Sequence, residues 1–164
     1  MTDEYSLFYL KFMEGKTFEG NATWNHLSQT PSYQTWSGYA FESLCLKHIP
    51  QIKKALDIAG IYALSSSFFH QGTSIEKGTQ IDLLIDRKDG VVNLFEIKFH
   101  TDPYIVTKAY ADHLQQKRSI FRHATKSKKQ LFYVLIAANG IIKNAHSDAI
   151  FSQVLTLDDL FVAV

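Results

Sequence analysis

Asp82, Glu96 and Lys98 are the residues of this chain best placed to do chemistry together. They lie in Gln80-Ile-Asp-Leu-Leu-Ile-Asp-Arg-Lys-Asp-Gly-Val-Val-Asn-Leu-Phe-Glu-Ile-Lys98, two alternating segments joined by a turn, which predicts a β-hairpin. Alternation puts Glu96 and Lys98 on one face of the second strand with Val92 and Leu94, while Gln80, Asp82, Leu84 and Asp86 share a face of the first. The turn decides whether these faces coincide. A three-residue loop, Lys88-Asp89-Gly90, suits a type I turn followed by a left-handed residue at Gly90. In that register Arg87 faces Val91, Leu84 faces Leu94, Asp82 faces Glu96 and Gln80 faces Lys98. A two-residue loop would turn Asp82 to the opposite face from Glu96, because a one-residue slip inverts every side chain. The first register has the better-matched turn chemistry.

Two carboxylates opposed on a partly buried sheet repel by roughly 3 kcal/mol at about 5 Å and an effective dielectric near 20. Such cross-strand like charges need an offset. A divalent cation supplies one, and hard oxygen ligands suit Mg²⁺ or Mn²⁺. Lys98 on the same face would then hold a water or neutralise charge developing on a phosphate. The blander alternative is a solvent-facing Asp82 at a sheet end with Glu96 and Lys98 as a surface pair worth little. Ile81, Leu83, Ile85, Phe95, Ile97 and Phe99 make the strands central ones, which favours the first reading.

The elements that must position this hairpin follow from the rest of the pattern. Ser37 is placed to cap a helix carrying Phe41, Leu44, Cys45, His48 and Ile49, which Pro50 interrupts. A second helical stretch covers Gln51 to Ala59, with Gly60 as its left-handed end. Ile61 to Phe69 reads as a strand, followed by a loop from His70 to Gly78. The hairpin strands are Gln80 to Arg87 and Val91 to Phe99. The longest helix is expected to start at Thr101 or Asp102 with Pro103, carrying Tyr110, Leu114, Lys117, Phe121 and Ala124 on one stripe. Gln130 to Ala138 is a buried strand, Val154 to Leu157 a last short strand, and Asp158 or Asp159 opens a terminal helical turn. This order predicts an α/β domain with a mixed sheet and helices packed on it.

Upstream, Tyr5 to Met13 forms a short helix, and Gly15 to Ser37 is a polar arm with Trp24 and Trp36 as anchors and little core of its own. The expected division is therefore an N-terminal arm, 1–36, and a domain, 37–164. At 164 residues, with 46% hydrophobic and 20% charged residues, the chain can bury a full core. A net charge of +1 gives no global attraction to nucleic acid, so any such attraction must be local. The single cysteine, Cys45, excludes an internal disulfide and reads as a small buried hydrophobe. No signal peptide or spanning segment is expected, which points to a cytoplasmic protein with no membrane partner.

Asp82, thirteen intervening residues and Glu96-Ile97-Lys98 resemble the D-x(n)-(D/E)-x-K signature of the PD-(D/E)XK nuclease superfamily, with Ile81 where the nominal motif has proline. Trp36-Ser-Gly-Tyr-Ala-Phe-Glu-Ser-Leu-Cys-Leu-Lys-His-Ile49, Gln80-Ile-Asp-Leu-Leu-Ile-Asp86 and Leu155-Thr-Leu-Asp-Asp-Leu-Phe161 are similar to the C-terminal domain of bacterial and archaeal AAA-type ATPases. The resemblance implies a restriction-endonuclease-like αβββαβ core and a Mg- or Mn-dependent endonuclease acting on DNA. Asp82, Glu96 and the carbonyl of Ile97 would be metal ligands, Lys98 the base or charge stabiliser, and Glu42 and Gln80 would assist. The arm would be what joined a winged helix and ATPase. The full Walker A motif, two glycines separated by four residues and followed by Lys-Ser/Thr, does not occur in this chain. Partners implied are DNA, the parent ATPase or further copies of the chain.

Lys117, Arg118, Arg122 and Lys126 lie in a basic run from Lys108 to Lys129 whose one acid is Asp112, a local field suited to phosphates or else a solvated helix face. Members of the superfamily often aim a basic side chain from this helix at the site, which is the alternative for Lys117. His70, His100 and His113 show no metal-ligand spacing, and Asp86 reads as an exposed hairpin residue. The rival to the enzyme is a catalytically silent nuclease-like module for DNA binding or protein docking.

Overall fold

The structure, a computed structural model, describes residues 3–16, 20–72 and 78–162. Parts of the expected arm, of the loop before the hairpin and of the first residues' junction lie outside them. Two compact units divide at Ala40/Phe41, whereas the sequence pattern placed the division at 36/37.

The first unit contains α1 (Glu4–Phe8), continued by a π-helical turn Tyr9–Met13, then α2 (Asn21–Ser28) and the start of α3 (Pro31–Lys47). It has a core of its own, contrary to expectation. The rings of Phe8, Phe12, Trp24, Tyr33 and Trp36 form a connected cluster with centroids 5.2 to 6.4 Å apart. Aromatic pairs at these separations add to the area they bury. A few large rings spread over a polar sequence leave no periodic trace. Ser37 is buried in the interior of α3, donating from Oγ to the Tyr33 carbonyl at 2.9 Å, so it is not a cap.

The second unit is α/β, with a mixed five-stranded sheet flanked by helices. After α3 come α4 (Ile49–Ala55), β1 (Ala63–His70), β2 (Thr79–Arg87), β3 (Val91–Lys98), β4 (Tyr104–Ile105), α5 (Lys108–Thr125), β5 (Gln130–Ala137), β6 (Ile141–Ile142), α6 (Ala145–Ile150), β7 (Phe151–Leu155) and a 3₁₀ turn, Asp158–Phe161. The sheet order is β1-β2-β3-β5-β7. β1, β2 and β3 form an antiparallel meander, and β5 and β7 add in parallel through helical crossovers. The succession of helix, three strands, helix and strand is the αβββαβ order. β3 and β5 are covered on both faces. Val92, Leu94, Leu131, Tyr133 and Leu135 pack with Ala111, Leu114 and Phe121 of α5. Leu83, Ile85, Phe95, Val134 and Ile136 pack with Phe41 and Cys45 of α3 and Ile52 of α4.

Several boundaries differ for identifiable reasons. α4 begins at Ile49 with Pro50 in its first turn, where the missing N–H costs nothing. Its left-handed end is Asp57 (φ 58°), not Gly60. The Ile58 N–H donates to the Lys53 carbonyl at 2.9 Å and the Asp57 N–H to that of Lys54 at 2.9 Å, a Schellman closure. α5 starts later than expected, because Pro103 leads into β4, which pairs with β6. Thr107 is the cap, its Oγ1 accepting from the Tyr110 N–H at 3.2 Å. The short α6, unseen in the pattern, is set by Asn144, whose side chain accepts from the N–H groups of His146 and Ser147, both at 2.9 Å.

Candidate metal and phosphate site

The hairpin has the expected three-residue loop, with Gly90 at φ 87°, and the pairs Leu84↔Leu94 and Asp86↔Val92 are those of the predicted register. The ladder, however, ends at Leu83↔Phe95, so Asp82↔Glu96 and Gln80↔Lys98 are not among its pairs. A bulge accompanies this end. Against β1, β2 uses three steps from Leu84 to Ile81 where β1 uses two, from Ser66 to Phe68. Ile81 consequently joins Leu84 on the α5 side, whereas regular alternation would place it with Leu83. The break in alternation falls at Asp82. Bulges of this kind re-aim a side chain and stop pairing, and they recur next to active sites.

Glu96 and Lys98 keep the expected common face, with Lys98 Nζ 3.2 Å from Glu96 Oε1. That face meets α5. Tyr110 donates its hydroxyl to Glu96 Oε1, and Lys117 Nζ lies 3.0 Å from Glu96 Oε2. The side chains of Glu96 and Lys117 are each 12% exposed, whereas Lys98 is 29% exposed and lies 5.1 Å from the centre of the Tyr110 ring. Burial pushes the Glu96 carboxyl up, but Lys117, the Tyr110 hydroxyl and Lys98 together outweigh it and hold the group below its ordinary value.

Glu42 enters from α3. Burial raises its carboxyl above the usual range, and the charges of Asp82 and Glu96 raise it further, against a lowering by Lys98. Glu42 thus feels the charges of Asp82 and Glu96, carboxylates carried by two other elements. Gln80 engages Asp82 rather than Lys98, its Nε2 donating to Asp82 Oδ1 at 2.5 Å. Lys98 C=O accepts from the Ala138 N–H on the β5 side at 3.1 Å, so alternation directs the Ile97 carbonyl toward the β2 side, beyond the last β2–β3 pair.

The donor chemistry fits a hard divalent cation: carboxylates that repel one another, and a strand carbonyl beside them. Among the described residues no three His, Cys, Asp or Glu side chains are gathered closely enough to hold a metal ion, and Glu96 is engaged by cations of the chain itself.

Lys117 belongs to this site and not to an outer basic face. The amphipathic stripe of α5 brings it there, together with Tyr110, which sequence reasoning saw only as a core position. A hydroxyl and an ammonium two turns apart on a stripe facing the acidic strand were the available signal. Arg118 is partly buried, Arg122 exposed, and Lys126 is the exposed left-handed residue ending the helix; Ala124 is exposed and leaves the stripe. Asp86 is ion-paired with Lys129, whose Nζ also donates to the Arg87 carbonyl at 2.7 Å, so it is not an idle turn residue. Cys45 is fully buried, and its thiol is pushed up to about 12 by burial and by Glu42, as suits an inert core group.

No protein-family model matches the chain, and no curated protein matches it. Among solved structures, the crystal structure of a protein of unknown function, AF1548, is similar at 14% identity and a TM-score of 0.47, over 71% of this chain and 64% of that one. The chain thus spans less than two thirds of that protein's length. Among the described residues no helix is long and apolar enough to cross a membrane.

Proposed function

We propose that this chain is a metal-dependent phosphodiesterase acting on DNA, a PD-(D/E)XK-type nuclease domain that forms the C-terminal part of an AAA-type ATPase. One observation carries the reading: Glu96 and Lys98 share one face of β3, with Lys98 Nζ 3.2 Å from Glu96 Oε1, at the end of the β2–β3 ladder where β2 bulges at Asp82. In this reading Asp82, Glu96 and the Ile97 carbonyl would hold Mg²⁺ or Mn²⁺, with Glu42 assisting. When bound, the ion supplies Lewis acidity and lowers the pKa of water. Lys98, the more exposed of the two lysines, orients the attacking water or neutralises charge on the phosphate. Gln80 fixes the Asp82 carboxylate through its hydrogen bond.

A thermal melt tests the metal. At ten times Kd, Mn²⁺ or Mg²⁺ is expected to add about 1.4 kcal/mol, or roughly 3–6 °C in Tm for a chain of this size. Asp82→Asn should remove most of that gain while slightly stabilising the metal-free protein, because it relieves repulsion from Glu42 and leaves Gln80 an acceptor. A full metal shift in Asp82→Asn would exclude Asp82 as a ligand.

Arg118, Arg122 and Lys126 are the proposed phosphate contacts. Replacing all three by Ala should weaken DNA binding for every sequence and lower the salt slope by about 1 per lost contact. An unchanged slope would reduce this face to a solvated surface.

A second reading, a silent module for DNA binding or docking, is favoured by the saturation of Glu96 by the chain's own donors.

A further inference from the structure

Glu96 has both oxygens engaged before any ligand arrives. Oε1 accepts from Tyr110 and is ion-paired with Lys98 at 3.2 Å, and Oε2 accepts from Lys117. Two of these three donors, Tyr110 and Lys117, come from α5 and stand two helical turns apart on its inner stripe, so they dock on the carboxylate as one unit. Lys117 is as buried as its partner, so its ammonium cannot exchange Glu96 for bulk water without the helix or the side chain moving. A divalent cation needs Glu96 lone pairs at about 2.0–2.5 Å. An ammonium at 3.0 Å holds the same oxygen by the same attraction.

We propose that Lys117, braced by Tyr110, is a resident counter-ion that competes with the divalent cation for Glu96 and so sets the metal affinity of the site. This rests on the metal reading above and adds its regulation. An anion that draws the Lys117 ammonium away, such as a phosphodiester, would release Glu96. Metal and substrate therefore bind with positive coupling: each is held more tightly when the other is present, by the same factor for both.

The test is calorimetric titration of Mn²⁺ into the full chain without nucleic acid, comparing wild type, Lys117→Met and Tyr110→Phe. Lys117→Met keeps the length of the side chain and removes its charge, and it should tighten Mn²⁺ binding about tenfold or more, because the apparent affinity no longer carries the cost of opening the latch. Tyr110→Phe keeps Lys117 in place and should give a smaller gain in the same direction. It serves as the deciding variant should Lys117→Met fail to fold without metal. Adding a short phosphorothioate oligonucleotide should tighten Mn²⁺ binding to the wild type and do much less for Lys117→Met. Equal or weaker Mn²⁺ binding by both variants, beside measurable binding by the wild type, overturns the counter-ion while leaving the metal reading intact. No binding by any of the three proteins overturns both.

Discussion

Glu96→Ala is expected to cost about 3 kcal/mol of folding stability, at the low end of what removing one partner of a buried ion pair does. The substitution strands the Lys117 ammonium, only 12% exposed, with no carboxylate at 3.0 Å, and frees the Tyr110 hydroxyl. Repulsion from Glu42 is relieved at the same time and works the other way. The attractive side prevails, because the Glu96 carboxyl is held below its ordinary value in spite of its burial. The same fact sets the pH dependence. A carboxyl with a lowered folded-state value contributes stability that is present above its unfolded pKa, about 4.3, and is lost as pH falls through the folded value. The difference between wild type and Glu96→Ala should therefore be full at neutral pH and shrink in acid. Urea melts at pH 7 and at successively lower pH measure it. Lys117→Met combined with Glu96→Ala should cost less than the two single changes added together. A Glu96→Ala protein within 1 kcal/mol of wild type at pH 7 would mean that Lys117 finds another partner and that the pair does not hold α5 to the sheet.

Lys98→Ala is expected to lower DNA cleavage by about 10²–10³-fold, the scale of losing one preorganised charge at a developing oxyanion. The fold should be almost indifferent to it. Lys98 is the partly exposed member of the cluster, 3.2 Å from Glu96 Oε1, and exposed pairs contribute at most about 1 kcal/mol. A large loss of rate beside a nearly unchanged Tm is thus the signature of a residue that acts on substrate. Wild-type cleavage itself should be slow and faster with Mn²⁺ than with Mg²⁺. A net charge of +1 draws little DNA to the chain, and Glu96 begins in the hands of Lys117. The comparison is made at matched metal and low salt, on plasmid and branched DNA. Equal cleavage by both proteins would identify a contaminating nuclease, and the silent-module reading would then be the better one.

Local patterns in this chain carried information wherever a single periodicity ruled. β5, buried on both faces, read as an apolar run, and β3 as an alternating hairpin strand. The three-residue turn ending in Gly90 set the hairpin register through Leu83↔Phe95, and alternation along β3 put Glu96 beside Lys98. Cys45 and the stripe of α5 were legible for the same reason, since each side chain's direction follows from the backbone period and its neighbours in sequence. What alternation could not foresee was where it stops. The β2 bulge at Asp82 comes from pairing with β1, whose register is a long-range property, and it ends the ladder before the pair that a regular hairpin would place opposite Glu96. Likewise the sequence marks Lys117 and Tyr110 as two polar groups on an apolar stripe. Only the crossover that lays α5 across β3 decides that both meet Glu96, and hence that Lys117 serves the acidic strand instead of an outer basic face. The approach of Glu42 is of the same kind. Its helix packs on the other side of the sheet from α5, so the charges it shares with Asp82 and Glu96 exist only once both layers are in place. Charge interactions act through space, and which charges come close is decided by the packing of layers that lie far apart in the chain.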